Sequence, residues 1–282
     1  MPALLTPRQL SAAPLTPAIG SVVADLDLRD LAGETAAELV ALVRRRGMVV
    51  VPGQHLDEPE HLALARHFGR PAVTPLRRLL GMDRPCALIA DDAEHPPAGF
   101  AWHTDESWTE TPPAFGILCA LTIPASGGDT IWASTAAAYE RLAPALRDLA
   151  DSLSVEHHMG ADYLATVARH HGDRIAGELV AAHPPVEQPL VREAGDRRAL
   201  YLSPLYATSI DGLDAATGTA LLDVFHRTLE DPEVQVRWRW SEGDVVIWDE
   251  ATTCHRALTD HFPATRRMRR CTTAGSRPVR AR

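Results

Sequence analysis

Long apolar runs are missing from this chain of 282 residues. No stretch approaches the roughly 18 consecutive apolar residues that a membrane-spanning helix needs, so no membrane partner is expected. Positive charge is in deficit: 28 Lys and Arg stand against 37 Asp and Glu, a formal net charge of −9. Without a basic field there is nothing to attract nucleic acid or an anionic surface, and any anion must be captured locally. Cysteine is scarce, with Cys86, Cys119, Cys254 and Cys271 forming no CxxC pair. A disulfide scaffold is therefore not expected, and free thiols in a reducing cytosol are. The first 24 residues lack a basic stretch followed by an apolar one, which again points to the cytoplasm. Aromatics are few at 5%, and neither an internal repeat nor a low-complexity tract is present.

What remains is a composition of 45% hydrophobic and 23% charged residues, which suits a globular protein with a sizeable core. One domain over residues 1–282 is the expectation, because barrels with embellishments commonly reach such lengths. Apolar spacing predicts a helix over Glu34 to Arg46, a buried strand at Met48 to Val51, and a second helix from Asp57 to Phe68 with Asp57 as its N-cap. Strands are expected at Phe115 to Ile123, Asp129 to Ala133, Val234 to Trp240, Asp244 to Trp248 and Arg266 to Thr273. Helices are expected over Thr135 to Ser152 and Leu213 to Leu229. Residues 74–101 read as an irregular lid or substrate loop, and residues 156–189 as a helical insertion. The sum is a mainly β protein with peripheral helices, a jelly roll in architecture.

The chemistry centres on His103-Thr104-Asp105 and the distant His255. Two imidazoles and one carboxylate can hold a non-haem Fe(II) on one face and leave the other face open. Residues two apart in a strand point the same way, so His103 and Asp105 can converge on one ion. By itself His-x-Asp is a weak pattern, since a lone His is more often a structural, hydrogen-bonded residue. Its neighbours matter more. Trp102 opens the motif, Thr111-Pro112-Pro113-Ala114 and Gly127-Gly128-Asp129-Thr130 follow it, Trp248-Asp249 precedes His255, and Arg266 and Arg270 come after.

In that order and spacing, from about Val22 to Gly275, the motifs closely resemble the taurine dioxygenase or TauD/TfdA family of Fe(II)/2-oxoglutarate dioxygenases. The resemblance implies a double-stranded β-helix (jelly roll, cupin-like), with His103, Asp105 and His255 as iron ligands. It implies that Arg266 pairs with the distal carboxylate of 2-oxoglutarate, that Thr130 donates a hydrogen bond to it, and that O2 is consumed. A planar guanidinium suits such bidentate binding. Related halogenases lack the ligand carboxylate that this chain keeps at Asp105, so hydroxylation is the implied outcome. The family's habit also admits a homo-oligomer, a dimer or a tetramer.

On the substrate side, the resemblance places Arg270 where relatives hold an anionic head group; a solvated basic edge is the simpler alternative. Strand alternation turns Arg266 and Arg270 inward with Met268 between them, and Arg267 and Arg269 outward. Thr74, Arg77 and Gly99 are the approximate counterparts of the taurine enzyme's substrate-binding His, Tyr and Asn, a departure that argues against taurine. Residues 68–80 and the C-terminal stretch look more like the aryloxyalkanoate dioxygenases. The expected substrate is a small carboxylate, sulfonate or sulfate ester; an amino acid or natural-product intermediate is the alternative, and a non-catalytic metal-binding barrel the third reading. His157-His158 and His170-His171 read as surface pairs rather than a second metal site. Asp91-Asp92, Glu94 and His95 read as a solvated loop or part of the pocket entrance. Trp102, Trp108 and Trp248 read as core or pocket wall. Cys254 is not expected to act as a nucleophile beside His255.

Overall fold

The Met48–Val51 strand is apolar at every position because it is covered on both faces. Val49 and Val51 point into one hydrophobic cluster and Met48 and Val50 into another. The same alternation runs through its neighbours: Val245 and Ile247 face the first cluster while Val246 and Trp248 face the second, as period-2 side-chain geometry requires. In this computed structural model, which describes residues 10–97 and 101–282, these strands belong to an eight-stranded sheet. Its order runs Ala13–Pro14, Ser21–Val22, Met48–Val51, Val245–Asp249, Phe115–Thr122, Arg266–Thr273, Pro71–Ala72, with Ala87–Asp91 paired to Arg266–Thr273.

A three-stranded sheet lies opposite, with Thr130–Ser134 between Gln235–Trp238 and Thr253–Ala257. Trp132 and Val236 from this sheet, with Trp240 just beyond it, join Met48, Leu118, Trp248 and Met268 from the large one in a shared core. The site lies between the two sheets. Behind the large sheet pack two helices, Gly33–Arg46 and Glu58–Phe68, whose Leu39, Val43 and Leu64 meet Val49, Ile117 and Cys271. The second of these starts on a capping box, Asp57 accepting from the Glu60 amide while Glu60 accepts from the Asp57 amide. That reciprocal cap satisfies two of the otherwise unpaired N–H groups of the first turn.

The mainly β architecture with peripheral helices agrees with the sequence reading, and several elements match closely, the Arg266–Thr273 strand among them. Two segments differ. Residues 74–101 are less irregular than expected: a short helix, Pro75–Leu79, is followed by the strand Ala87–Asp91, which pairs residue for residue with Arg266 to Arg270. Residues 156–189 do hold helices, Ala161–His171 and Asp173–Ala182, but strands flank them at Ser154–His157 and Val186–Pro189. The helices bring their own small core of Trp108, Met159, Leu179 and Tyr206 beside the site. No described helix is long and apolar enough to cross a membrane.

Candidate active site

His103 and His255 are fixed to each other by backbone. Each donates its amide to the other's carbonyl, at 2.9 and 2.8 Å, an isolated antiparallel bridge at the edge of the three-stranded sheet. The two imidazoles consequently stand side by side, their ring centroids 4.3 Å apart. His103 Nδ1 lies 3.0 Å from the Ala101 carbonyl, which fixes the hydrogen on that nitrogen and turns the Nε2 lone pair toward Asp105 Oδ1 at 3.7 Å.

Asp105 does not reach the site by strand alternation, as the sequence reading supposed. The chain leaves the bridge after His103 and turns through residues 105–108, with Glu106 at a positive φ of 49°. Thr104 anchors this departure: its amide donates to Ser203 Oγ and its hydroxyl lies 3.2 Å from the carbonyls of Leu202 and Thr253. The Asp105 amide then donates to Glu250 Oε2 at 3.1 Å, while Glu250 Oε1 accepts from the Trp248 indole at 2.6 Å. Glu250 thus ties the Asp105 turn to the pocket wall. Sequence reasoning missed it, although it stands inside the Trp248-to-His255 motif.

One ligand atom from each of His103, Asp105 and His255 lies within 4.8 Å of the others, and among the described residues no other His, Cys, Asp and Glu group has this form. Burial pushes the His255 imidazole down to about 3, helped by His103 and opposed by Asp105; burial likewise lowers His103. Burial alone would raise the Asp105 carboxyl, but Arg270, His255 and His103 outweigh it and hold the group at about 2. Two neutral imidazoles and an ionised carboxylate are the donor set that a divalent cation of intermediate hardness takes. His255 Nδ1 is in addition buried without a hydrogen-bond partner among the described residues. The residues present fit a metal.

Arg266 and Arg270 both line the cavity above this triad, and Met268 is buried between them, as strand alternation predicts. Arg266 donates from Nε to the Gly128 carbonyl at 2.9 Å. That approach depends on glycine: a Cβ on Gly128 would stand 2.9 Å from Arg266 Cδ, and the residue sits at φ +72°. Thr130 Oγ1 accepts from the Trp240 indole at 3.0 Å and faces Arg266 Nη2 at 3.5 Å, so its own hydrogen remains available to a ligand. Arg270 Nη1 donates to both Asp105 oxygens, at 2.9 and 3.1 Å. Trp132 and Trp248 wall the cavity around His255.

The remaining candidates divide. Asp91 lines the cavity, whereas Asp92 and His95 close an exposed turn on each other. Thr74 precedes the helix Pro75–Leu79, and Arg77 donates to the carbonyls of Arg84 and Cys86; neither is among the described residues lining the cavity. Gly99 lies outside the described residues. Arg267 is exposed as expected, but Arg269 packs behind the sheet, donating to His61 Nδ1 at 3.2 Å and to the Leu56 carbonyl. His157 is buried and bonded to Ser107 instead of lying on the surface, and His170 and His171 are the exposed pair. Trp102 donates to Glu230 and Trp108 sits in the insertion core. All four cysteines are free and buried, and burial raises the Cys254 thiol, consistent with an inert role. Glu106, which sequence reasoning also missed, is pushed up to about 7 by burial, opposed by Arg270.

A mostly-strand protein with a buried His-Asp-His triad and two arginines in one cavity has the design of a mononuclear metalloenzyme that binds anions. The family model described as taurine catabolism dioxygenase TauD, TfdA family matches residues 11–272, and the chain belongs to that family. It is similar to an alpha-ketoglutarate-dependent sulfate ester dioxygenase of Pseudomonas putida, 34% identical over 281 residues that span 96% of this chain and 91% of the relative. It is 31% identical to an alpha-ketoglutarate-dependent 2,4-dichlorophenoxyacetate dioxygenase of Cupriavidus pinatubonensis, over 92% of this chain and 96% of that one. The crystal structure of a taurine dioxygenase from Burkholderia xenovorans superposes with a TM-score of 0.80 at 30% identity, covering 96% and 93% of the two chains. The chain is accordingly an oxidoreductase that depends on Fe(II), 2-oxoglutarate (alpha-ketoglutarate) and O2.

Proposed function

We propose that the chain forms one domain, residues 1–282, on a double-stranded β-helix, and that it hydroxylates a C–H bond of a small organic anion while 2-oxoglutarate becomes succinate and CO2. The observation that carries this reading is the single cavity shared by His103, His255, Thr130, Arg266 and Arg270, with Asp105 completing the triad. The two facing sheets with the cavity between them support the β-helix assignment.

His103, Asp105 and His255 would hold Fe(II), which when bound would relay to O2 the electrons that 2-oxoglutarate gives up on decarboxylation and the substrate gives up on C–H oxidation. Arg266 grips the distal carboxylate of 2-oxoglutarate, and Thr130 donates its free hydroxyl hydrogen to the same group. Arg270 holds the anionic head of the substrate and so sets which carbon lies over the metal. Trp132 and Trp248 keep water away from that carbon. One atom of O2 ends in the hydroxyl and the other in succinate; where the hydroxylated carbon bears oxygen or sulfur, the product collapses and that bond breaks.

The similarity to sulfate ester and 2,4-dichlorophenoxyacetate dioxygenases supports a sulfate ester, sulfonate or aryloxyalkanoate as substrate. An amino acid, whose carboxylate Arg270 in the cavity would hold, is the second reading. Succinate formation with Fe(II), 2-oxoglutarate and a panel of alkyl sulfates, alkanesulfonates, aryloxyacetates and amino acids tests both. Stimulation by the first three classes is the expected result, stimulation by amino acids alone selects the second reading, and no turnover with any of them contradicts the enzyme's proposed reaction.

A further inference from the structure

The arginine assigned to 2-oxoglutarate already faces a carboxylate. Asp91 ends its strand directly opposite Arg266 in the sheet register, with Oδ2 3.9 Å from Arg266 Nη1, and it lines the cavity. The same oxygen lies 3.6 Å from His261 Nε2. His261 is buried, and neither of its ring nitrogens makes a hydrogen bond among the described residues. A ligand carboxylate arriving at Arg266 therefore enters beside Asp91, and two carboxylates that share one guanidinium repel each other.

We propose that Asp91 is a specificity-determining residue for the cosubstrate: binding of 2-oxoglutarate at Arg266 places one proton on the Asp91 carboxyl, which then donates a hydrogen bond to His261. The inference rests on the assignment of Arg266 to the distal carboxylate. It gives roles to an acid that otherwise opposes the ligand and to a buried imidazole that otherwise has no hydrogen-bonding function. The electrostatic setting is specific. Asp91 faces Arg266 from the neighbouring strand and His261 from the loop after Thr253–Ala257. Asp92 follows on the same chain segment, and Asp129, near Arg266, is held by Arg237 at 2.6 Å. Burial already raises the Asp91 carboxyl, against the pull of Arg266 and His261, and a second anion at Arg266 raises it further.

The sign of the pH effect follows. Below both the free and the ligated pKa of Asp91, affinity is independent of pH. Between them it falls by about tenfold per pH unit as pH rises, because binding must take up a proton. A 2-oxo acid without the distal carboxylate does not require that proton. Substrate discrimination between the two acids is thereby greatest at low pH.

Calorimetry on the anaerobic, Mn(II)-loaded protein tests this, using 2-oxoglutarate and 2-oxobutanoate in buffers of different protonation enthalpy between about pH 5 and 8. Both ligands present the same chelating end, so the difference between them isolates the distal carboxylate. The expected result is up to one additional proton taken up with 2-oxoglutarate. In Asp91→Asn, whose amide can donate to His261 without a charge, the excess disappears and 2-oxoglutarate affinity becomes flat with pH, exceeding that of the wild type at the alkaline end. Equal proton uptake with the two ligands in the wild type overturns the inference without recourse to any variant, as does an Asp91→Asn protein that keeps the excess. Failure of 2-oxoglutarate to bind at all overturns the assignment of Arg266 as well.

Discussion

Arg266 and Arg270 stand on one strand and one face, yet their surroundings differ. Arg266 makes its hydrogen bonds to neutral oxygens, the Gly128 carbonyl and the Thr130 hydroxyl, with Asp91 at 3.9 Å and Asp129 nearby to balance its charge. Arg270 is locked to both oxygens of Asp105. A guanidinium among neutral acceptors keeps most of its charge for a ligand, whereas one in a close ion pair must first be relieved of its partner. A cation held by Asp105 would supply that relief. The two ends of the site are thus prepared differently: Arg266 has Asp91 nearby but no close ion pair, whereas Arg270 is held in one by Asp105.

Four substitutions break or sharpen this contrast. Asp105→Ala removes a metal ligand and the counter-ion of Arg270 together, and succinate formation is expected to vanish; a rate within a factor of two of the wild type would take Asp105 out of the site. Arg266→Ala should weaken 2-oxoglutarate by about tenfold to a hundredfold in an equilibrium titration, the loss associated with charge-assisted hydrogen bonds. Lysine at that position should restore only part of the affinity, because it cannot form the fork. Arg270→Met should raise the KM of anionic substrates about tenfold while leaving 2-oxoglutarate affinity unchanged, and equal loss of both would merge the two roles.

The smallest effect concerns Arg269, which faces the opposite side of the strand and donates to His61. Burial lowers the His61 imidazole to about 3, with help from Arg269. A folded-state pKa below the unfolded one contributes stability that is fully present above about pH 6.5 and is lost as pH falls toward about 3. His61→Phe should therefore flatten the acid limb of the stability curve, reducing the loss of Tm on acidification by about 2–4 °C. Activity at neutral pH should not change.

The strands and helices with strong local patterns were legible in the sequence. Arg266–Thr273 carried its own alternation, and the helix after Asp57 carried its capping signal. The triad and the two arginines were legible through the motif resemblance; the structure brings His103, His255, Arg266 and Arg270 to one cavity, with Asp105 beside the two His. Features made by long-range pairing were not. Ala87–Asp91 sits among prolines and becomes a strand only because Arg266 to Arg270 run alongside it. The turn that delivers Asp105 depends on Thr104 binding carbonyls of Leu202 and Thr253, partners that no local pattern reveals. Asp91 and His261 meet through the same long-range pairing, and Glu250 acquires its part only when the Asp105 amide arrives beside it. Thr74 and Arg77 were placed by loop equivalence, and the short helix Pro75–Leu79 directs Arg77 to backbone carbonyls instead.

The central claim is that His103, Asp105 and His255 together form the metal centre on which every other assignment depends. Anaerobic titration of the metal-free protein with Fe(II) tests it most directly, with His103→Ala, Asp105→Ala and His255→Ala measured alongside the wild type. The expected result is one tightly held ion per wild-type chain and loss of that ion in each variant. A stoichiometry and affinity unchanged in the three variants would contradict the account.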